Sequence, residues 1–292
     1  MRFSRVVLAA IAIGLASPAA AECASTPGLS HFYQTGWGID YSGQRFQPDT
    51  TVNAGSAQSL ELKWAYGFGT EQPRVFPLVT EDTLFIGDGG VGLVALDRSS
   101  GCTRWVNEDV EDAATAISHG ELDDRKILVL SGRQSGVIAI DAIDGETLWQ
   151  RTITEDNPVA MYSGSPLVYE DQGFVPLSSA EIGLVINPFY GCCTTSGAMA
   201  ALDLATGETN WYLRTIPDQP QETGRHYLFV EEYGPSGAPV WGAPTLDTKR
   251  RTLYYGTGQN YSHPASKTSD AIFAVDIDLS LIHISEPTRP TT

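Results

Sequence analysis

Apolar residues in this chain gather in runs of strand length and show no sustained helical period beyond the first twenty residues. Val91 to Leu96 and Val137 to Ile140 are such runs, and each ends in an Asp. Earlier runs follow a proline: Pro77-Leu78-Val79 then Leu84 to Gly87, Pro166-Leu167-Val168 then Gly173 to Val175, and Pro244-Thr245-Leu246 then Leu253 to Gly256. Short apolar runs separated by turn residues predict β-strands. The runs also repeat. Ala95-Leu96-Asp97 leads to Gly101 and Trp105, Ala139-Ile140-Asp141 to Gly145 and Trp149, and Ala201-Leu202-Asp203 to Gly207 and Trp211. The template is Ala-x-Asp-x-x-(Thr/Ser/Asp)-Gly-x-x-x-Trp. A fourth copy opens at Ala274-Val275-Asp276, and its Thr-Gly and Trp do not follow.

Each part of the template has a physical reading. The Asp accepts backbone donors in a turn, the Gly takes a positive φ, and the Trp sits on the next strand as a large packing ring. With the upstream run, each copy supplies about four antiparallel strands, the content of a propeller blade. The expected fold is therefore all-β, a β-propeller with about four blades present. Copies begin 44, 62 and 73 residues apart. Uneven spacing in a propeller places insertions on one face, where loops build sites.

Composition narrows the function classes. At 42% hydrophobic and 10% aromatic, the chain is too apolar for disorder. Lys and Arg number 18 against 35 Asp and Glu, a net charge of -17. That balance argues against nucleic acid and against docking on anionic lipid. Four cysteines, Cys23, Cys102, Cys192 and Cys193, fit an oxidising compartment. There is no Cys-x-x-Cys-His for a covalently attached haem.

The two ends read differently from the middle. Arg2 and Arg5, the apolar run Val6 to Ala16 and Ala19-Ala20-Ala21 form an export signal over 1–21, with Glu22 first in the mature chain. The run is short for a membrane span, and Glu22 before Cys23 speaks against a lipoprotein. From Leu279 the chain reads LSLIHISEPTRPTT, which resembles the translation of a sequencing-library adapter. The expected organisation is a signal peptide over 1–21, a partial propeller over 22–278 and a non-native tail over 279–292.

Several segments resemble the quinoprotein dehydrogenases, propellers that bind pyrroloquinoline quinone (PQQ). They are Gly36-Trp37-Gly38-Ile39-Asp40, Leu62 to Phe68, Gly191-Cys192-Cys193-Thr194, Gly234 to Trp241 and Gly256 to Ser262. The last three resemble the polyvinyl-alcohol dehydrogenase branch. The resemblance implies an eight-bladed fold of which this chain holds about four, a PQQ cofactor, Ca²⁺, an alcohol substrate, a cytochrome c acceptor and a periplasmic location. It implies a general-base Asp beyond the fourth copy, so no Asp here is assigned that role. The alternative is a cofactor-free propeller serving as a protein-binding scaffold in the cell envelope.

The resemblance also implies site residues. Glu181 matches a Ca²⁺-binding carboxylate beside the quinone, and an oxygen donor suits a hard cation. Gln259 stands where relatives place Asn or Asp as a second ligand, and Asn260 beside it could serve instead. Trp241 matches the ring that stacks on the quinone. Arg133 could pair with a quinone carboxylate, and Ser163 matches a cofactor-bonding hydroxyl. Arg74 replaces a cofactor-binding Glu of methanol-oxidising relatives. Cys192-Cys193 is expected as a vicinal disulfide that either faces the cofactor or stiffens an insertion; two free thiols are the third option. Each of these residues also has a plain structural reading, as a loop acid, a turn residue, a surface Arg or a packing Trp.

Overall fold

The computed structural model describes Cys23, residues 28–278 apart from 49, 70–74, 89, 111, 134, 154, 156, 227 and 228, and the backbone of 282–285. The expected signal peptide, Arg74 and most of the 279–292 tail lie outside the described residues.

Among the described residues, four larger antiparallel sheets follow one another in sequence order. The first holds Leu78–Val79, Thr83–Asp88, Gly92–Asp97 and Thr103–Asn107. The second holds Ser118–Leu122, Arg125–Gly132, Gly136–Asp141 and Thr147–Arg151. The third holds Leu167–Tyr169, Gln172–Ser179, Ala198–Asp203 and Thr209–Arg214, with Ala160–Met161 added beside Gln172–Ser179. The fourth holds Thr245–Asp247, Thr252–Gly256, Ile272–Asp276 and Ile282–Ser285. A hairpin of Gln221–His226 and Val230–Gly234 is inserted between the third and fourth.

Alternation along the middle strands sends side chains into two different cores. Leu128 and Leu130 pack toward the first sheet with Phe85 and Leu93, while Ile127 and Val129 pack toward the third with Val175 and Leu177. Phe174 and Met199 of the third sheet meet Leu253 and Phe273 of the fourth in the same manner. Period-two alternation buries both faces of each middle strand, which is why these strands read as nearly unbroken apolar runs. Sheets stacked face to face in chain order are propeller blades.

The repeat explains how blades are joined. Asp97 Oδ1 accepts from the amides of Ser99 and Ser100, and Asp203 Oδ1 from those of Ala205 and Thr206. Gly101, Gly145 and Gly207 sit at φ of 73°, 79° and 70°. A Cβ on any of them would lie 2.6 Å from a tryptophan ring: Trp64, Trp105 and Trp149 respectively. The same tryptophans donate Nε1–H to the carbonyl just after the turn Asp, Trp64 to Arg98 at 3.0 Å, Trp105 to Ala142 at 3.3 Å and Trp149 to Leu204 at 2.8 Å. Each Trp is therefore the clasp that fixes the preceding segment onto the turn of the next blade. Among the described residues no helix is long and apolar enough to cross a membrane.

Candidate functional site

Two adjoining cavities lie on the face built by the insertions. The first, of about 170 Å³, is lined by Met161, Ser163, Ser178, Trp241, Gln259 and Tyr261, among others. Trp241 follows fully buried Val240, whose amide donates to Leu177 O at 3.1 Å, so the third sheet anchors the residue before it. Yet its indole is 62% exposed. Trp64, Trp105 and Trp149 are clasps, whereas Trp241 presents a bare aromatic surface. Ser178 Oγ donates to Met161 O, so the hydrogen shared with Ser163 Oγ at 3.0 Å comes from Ser163. The lone pairs of Ser163 remain to receive a donor. A flat aromatic shelf with hydroxyl and amide groups at its rim suits a planar conjugated cofactor.

Glu181 behaves differently from its expected role. It opens a one-turn helix, Glu181–Leu184, at the end of Gln172–Ser179, and is fully buried. Its Oε1 accepts from Tyr190 Oη at 2.8 Å, Thr194 N at 2.9 Å and Thr194 Oγ1 at 3.3 Å. Its Oε2 accepts from Thr195 N at 2.8 Å and from the Thr195 hydroxyl. Burial, and then the bond to Glu181, push the Tyr190 hydroxyl up to about 12. A carboxylate whose oxygens are spent on five protein donors has no lone pair directed at a cation. Asn260 Oδ1 is likewise engaged, accepting from Ser266 N at 3.1 Å. Among the described residues no three His, Cys, Asp or Glu side chains gather as a metal site. The residues present do not fit Ca²⁺ at Glu181; they make this carboxylate the acceptor that organises the segment after the cysteines.

Cys192 and Cys193 form the vicinal disulfide, and Cys23 pairs with Cys102. The vicinal pair does not share the Trp241 cavity. Cys193 is fully buried, and Cys192 lines the second cavity with Asn260. Ile182 and Tyr261 line both cavities and so mark the boundary between them. Burial, and then the charge of Glu181, push the Tyr261 hydroxyl up to about 12, so it stays a proton donor at neutral pH. Arg133 is outside both cavities, and its carbonyl accepts from Tyr162 N at 3.2 Å.

The second cavity, about 410 Å³, runs between residues 182–192, the inserted hairpin and residues 260–263. His226 bridges two of these walls, its Nδ1 3.1 Å from Glu232 Oε1 and its Nε2 3.0 Å from Pro188 O. Residue-by-residue reading missed this pair. The 62- and 73-residue spacings were its only signal, marking where the insertions fall.

A family model described as Outer membrane protein assembly factor BamB matches residues 48–226. A polyvinylalcohol dehydrogenase from Pseudomonas sp is 30% identical over 248 residues, covering 83% of this chain and 38% of the relative. One from Sphingopyxis sp. (strain 113P3) is 28% identical over 273 residues, covering 90% and 41%. The chain thus spans about two fifths of these relatives' length. Among solved structures, the quinohemoprotein alcohol dehydrogenase of Comamonas testosteroni superposes with a TM-score of 0.67 at 19% identity, over 89% of this chain and 41% of that one. That likeness bears on the fold and agrees with blades of a partial quinoprotein-type propeller.

Proposed function

The chain belongs to the PQQ-repeat family described by the BamB model, and from that premise we propose that it carries the cofactor-holding blades of a quinoprotein alcohol dehydrogenase. The observation that carries this reading is Trp241, an indole 62% exposed over a cavity rimmed by Ser163 and Gln259. An exposed indole that lines a cavity offers a flat face on which a conjugated ligand can stack. The similarity to two polyvinylalcohol dehydrogenases supports a secondary or polymeric alcohol as substrate. The four blades would then form part of an eight-bladed ring.

In this reading Trp241 supplies the stacking face and Ser163 a rim hydroxyl. PQQ bound there supplies the two-electron acceptor for an alcohol C–H bond. Tyr261 and Ile182 wall this cavity on the side toward the second. No step runs through Ca²⁺, and no residue of this chain is assigned as the base. Electron transfer to a cytochrome c and a periplasmic location belong to the same proposal, and both disulfides suit an oxidising compartment. A cofactor-free scaffold, the reading that the family's description favours, gives Trp241 no role.

The test is a PQQ titration of the chain followed by tryptophan fluorescence. Quenching is expected, and Trp241→Leu should abolish most of it while Trp211→Phe leaves it. A wild-type chain that shows no saturable quenching would favour the scaffold.

A further inference from the structure

We propose that His226 and Glu232 form a proton-operated clasp on the 410 Å³ cavity: the imidazolium ties the inserted hairpin to Pro188, and loss of its proton frees the hairpin and opens the cavity. Ile182 and Tyr261 line both cavities, so the clasp lies on the way to the Trp241 shelf from this side. It is independent of which ligand the shelf takes.

Three observations carry it. The first is a count of protons. Both ring nitrogens of His226 face acceptors, Nδ1 the carboxylate of Glu232 at 3.1 Å and Nε2 the carbonyl of Pro188 at 3.0 Å. A neutral imidazole has one N–H and can serve one of them; the cation serves both. The carboxylate is the stronger acceptor, so the proton that remains at higher pH stays on Nδ1. The Nε2 lone pair then faces the lone pairs of the Pro188 carbonyl, and the link between the two walls becomes repulsive.

The second is a hinge. The base of the hairpin is fixed by backbone bonds that no proton controls: Tyr233 N donates to Cys192 O at 2.7 Å and Cys193 N to Tyr233 O at 3.2 Å. Beyond that base, the described residues join the hairpin to residues 182–190 through His226 and through the stacked rings of Phe189 and Phe229. Both rings are 66% exposed and bury little area on each other. A charge-assisted hydrogen bond is roughly twice as strong as a neutral one, so the His226 bond is the contact whose loss releases this side.

The third is the company the clasp keeps. On the hairpin, Arg225 is held between Glu222 at 3.2 Å and Glu231 at 3.3 Å, and Tyr233 donates to Glu231. The facing wall brings Tyr190, and residues 260–263 bring Tyr261 and His263. Burial keeps the Tyr190 and Tyr261 hydroxyls protonated, and the bond to Glu231 does the same for Tyr233. Carboxyls, phenols and guanidiniums ordinarily titrate outside the range from about pH 5 to 8, and imidazoles inside it. His226 and His263 are the imidazoles here, and His226 is the one that spans two walls.

The test uses the Cys192–Cys193 disulfide as a reporter, because Cys192 lines the cavity. The Cys23–Cys102 disulfide lines neither cavity and serves as internal reference. The chain meets a phosphine reductant at about pH 5 and about pH 8, on either side of the ordinary imidazole value, and the trapped thiols are read by mass spectrometry. The rate of Cys192–Cys193 reduction relative to Cys23–Cys102 is expected to rise about threefold between them, the order of effect of losing one partly exposed ion pair. His226→Phe removes both donors, so its ratio should be high at both pH values. Glu232→Gln offers a neutral imidazole a donor for Nδ1 and leaves Nε2–H for Pro188, so its ratio should be low at both. The Glu232 side chain is 47% exposed, so this variant is expected to fold, with an unchanged Cys23–Cys102 rate. His263→Gln should keep the wild-type rise. A wild-type ratio that ignores pH, a rise that survives in His226→Phe or Glu232→Gln, or a rise lost in His263→Gln would each overturn the proposal.

Discussion

At the scale of single residues, identity was legible where a residue acts alone and illegible where it acts through a partner. Trp241 could be singled out because it breaks the Trp pattern of the repeat. Glu181 could be singled out too, but its environment could not, since its donors come from Tyr190, Thr194 and Thr195 beyond an insertion. His119 makes the same point. Nothing around it in the sequence marks it, yet it stacks on Phe32 at 4.0 Å. Burial, reinforced by Lys126, pulls its imidazole down from 6.5 to about 4. The folded chain therefore binds fewer protons than the unfolded one between pH 4 and 6.5. Stability is at its full value above pH 6.5 and falls as pH drops toward 4, by at most about 1.4 kcal/mol per pH unit. Chemical denaturation of wild type and His119→Phe at pH 7.5 and 5 checks this. The wild type should lose more stability on acidification than the variant, and equal losses would remove His119 as the cause.

At the scale of elements, the repeat made the blades readable before any coordinates. The Asp, Gly and Trp of each copy are contact points between blades, and a contact repeated at every blade leaves a repeated sequence. The fourth sheet shows what happens without them. In the first three sheets the outer strand pairs Ala with Trp, as Ala95 with Trp105, and the register shifts just after the Ala. In the fourth, Ala274 pairs with His283 and the register runs on without a shift. Trp211, which should clasp this sheet's turn, has a buried Nε1 with no partner among the described residues. Leu279 and Ser280 stand where the other copies carry a polar residue and Gly. An unpaired buried donor costs about 1–3 kcal/mol. Replacing Leu279→Thr and Ser280→Gly completes the repeat template and should give Trp211 the carbonyl of Ile277. The expected gain is about 1 kcal/mol in unfolding free energy, read in urea, with a matching loss of the gain in a Trp211→Phe background. A gain that persists in that background would show that the two substitutions act through the turn residues and not through the clasp.

At the scale of the whole molecule, the N-terminal segment ties blades that are distant in sequence. Tyr33 N donates to Val79 O of the first sheet at 2.9 Å, Ser118 Oγ of the second donates to Thr35 O at 2.8 Å, and Leu246 N of the fourth donates to Tyr41 O at 2.7 Å. The sequence marked this stretch only by resemblance, because on its side these three bonds use backbone atoms and leave no side-chain pattern. Cys23 fixes its start to the first sheet through Cys102 across 79 residues. The two disulfides should therefore contribute very unequally. Closing a loop of that length removes much unfolded-state entropy, typically about 2–4 kcal/mol of stability. The Cys192–Cys193 bond joins neighbours and closes no loop in the chain, so it restricts the unfolded ensemble hardly at all. Guanidinium unfolding of Cys23→Ala/Cys102→Ala should show a loss of about 2–4 kcal/mol, and Cys192→Ala/Cys193→Ala a smaller one set by packing around buried Cys193. No stability loss in Cys23→Ala/Cys102→Ala would mean that the N-terminal segment is held by its backbone bonds alone and that the long-range disulfide adds nothing to them.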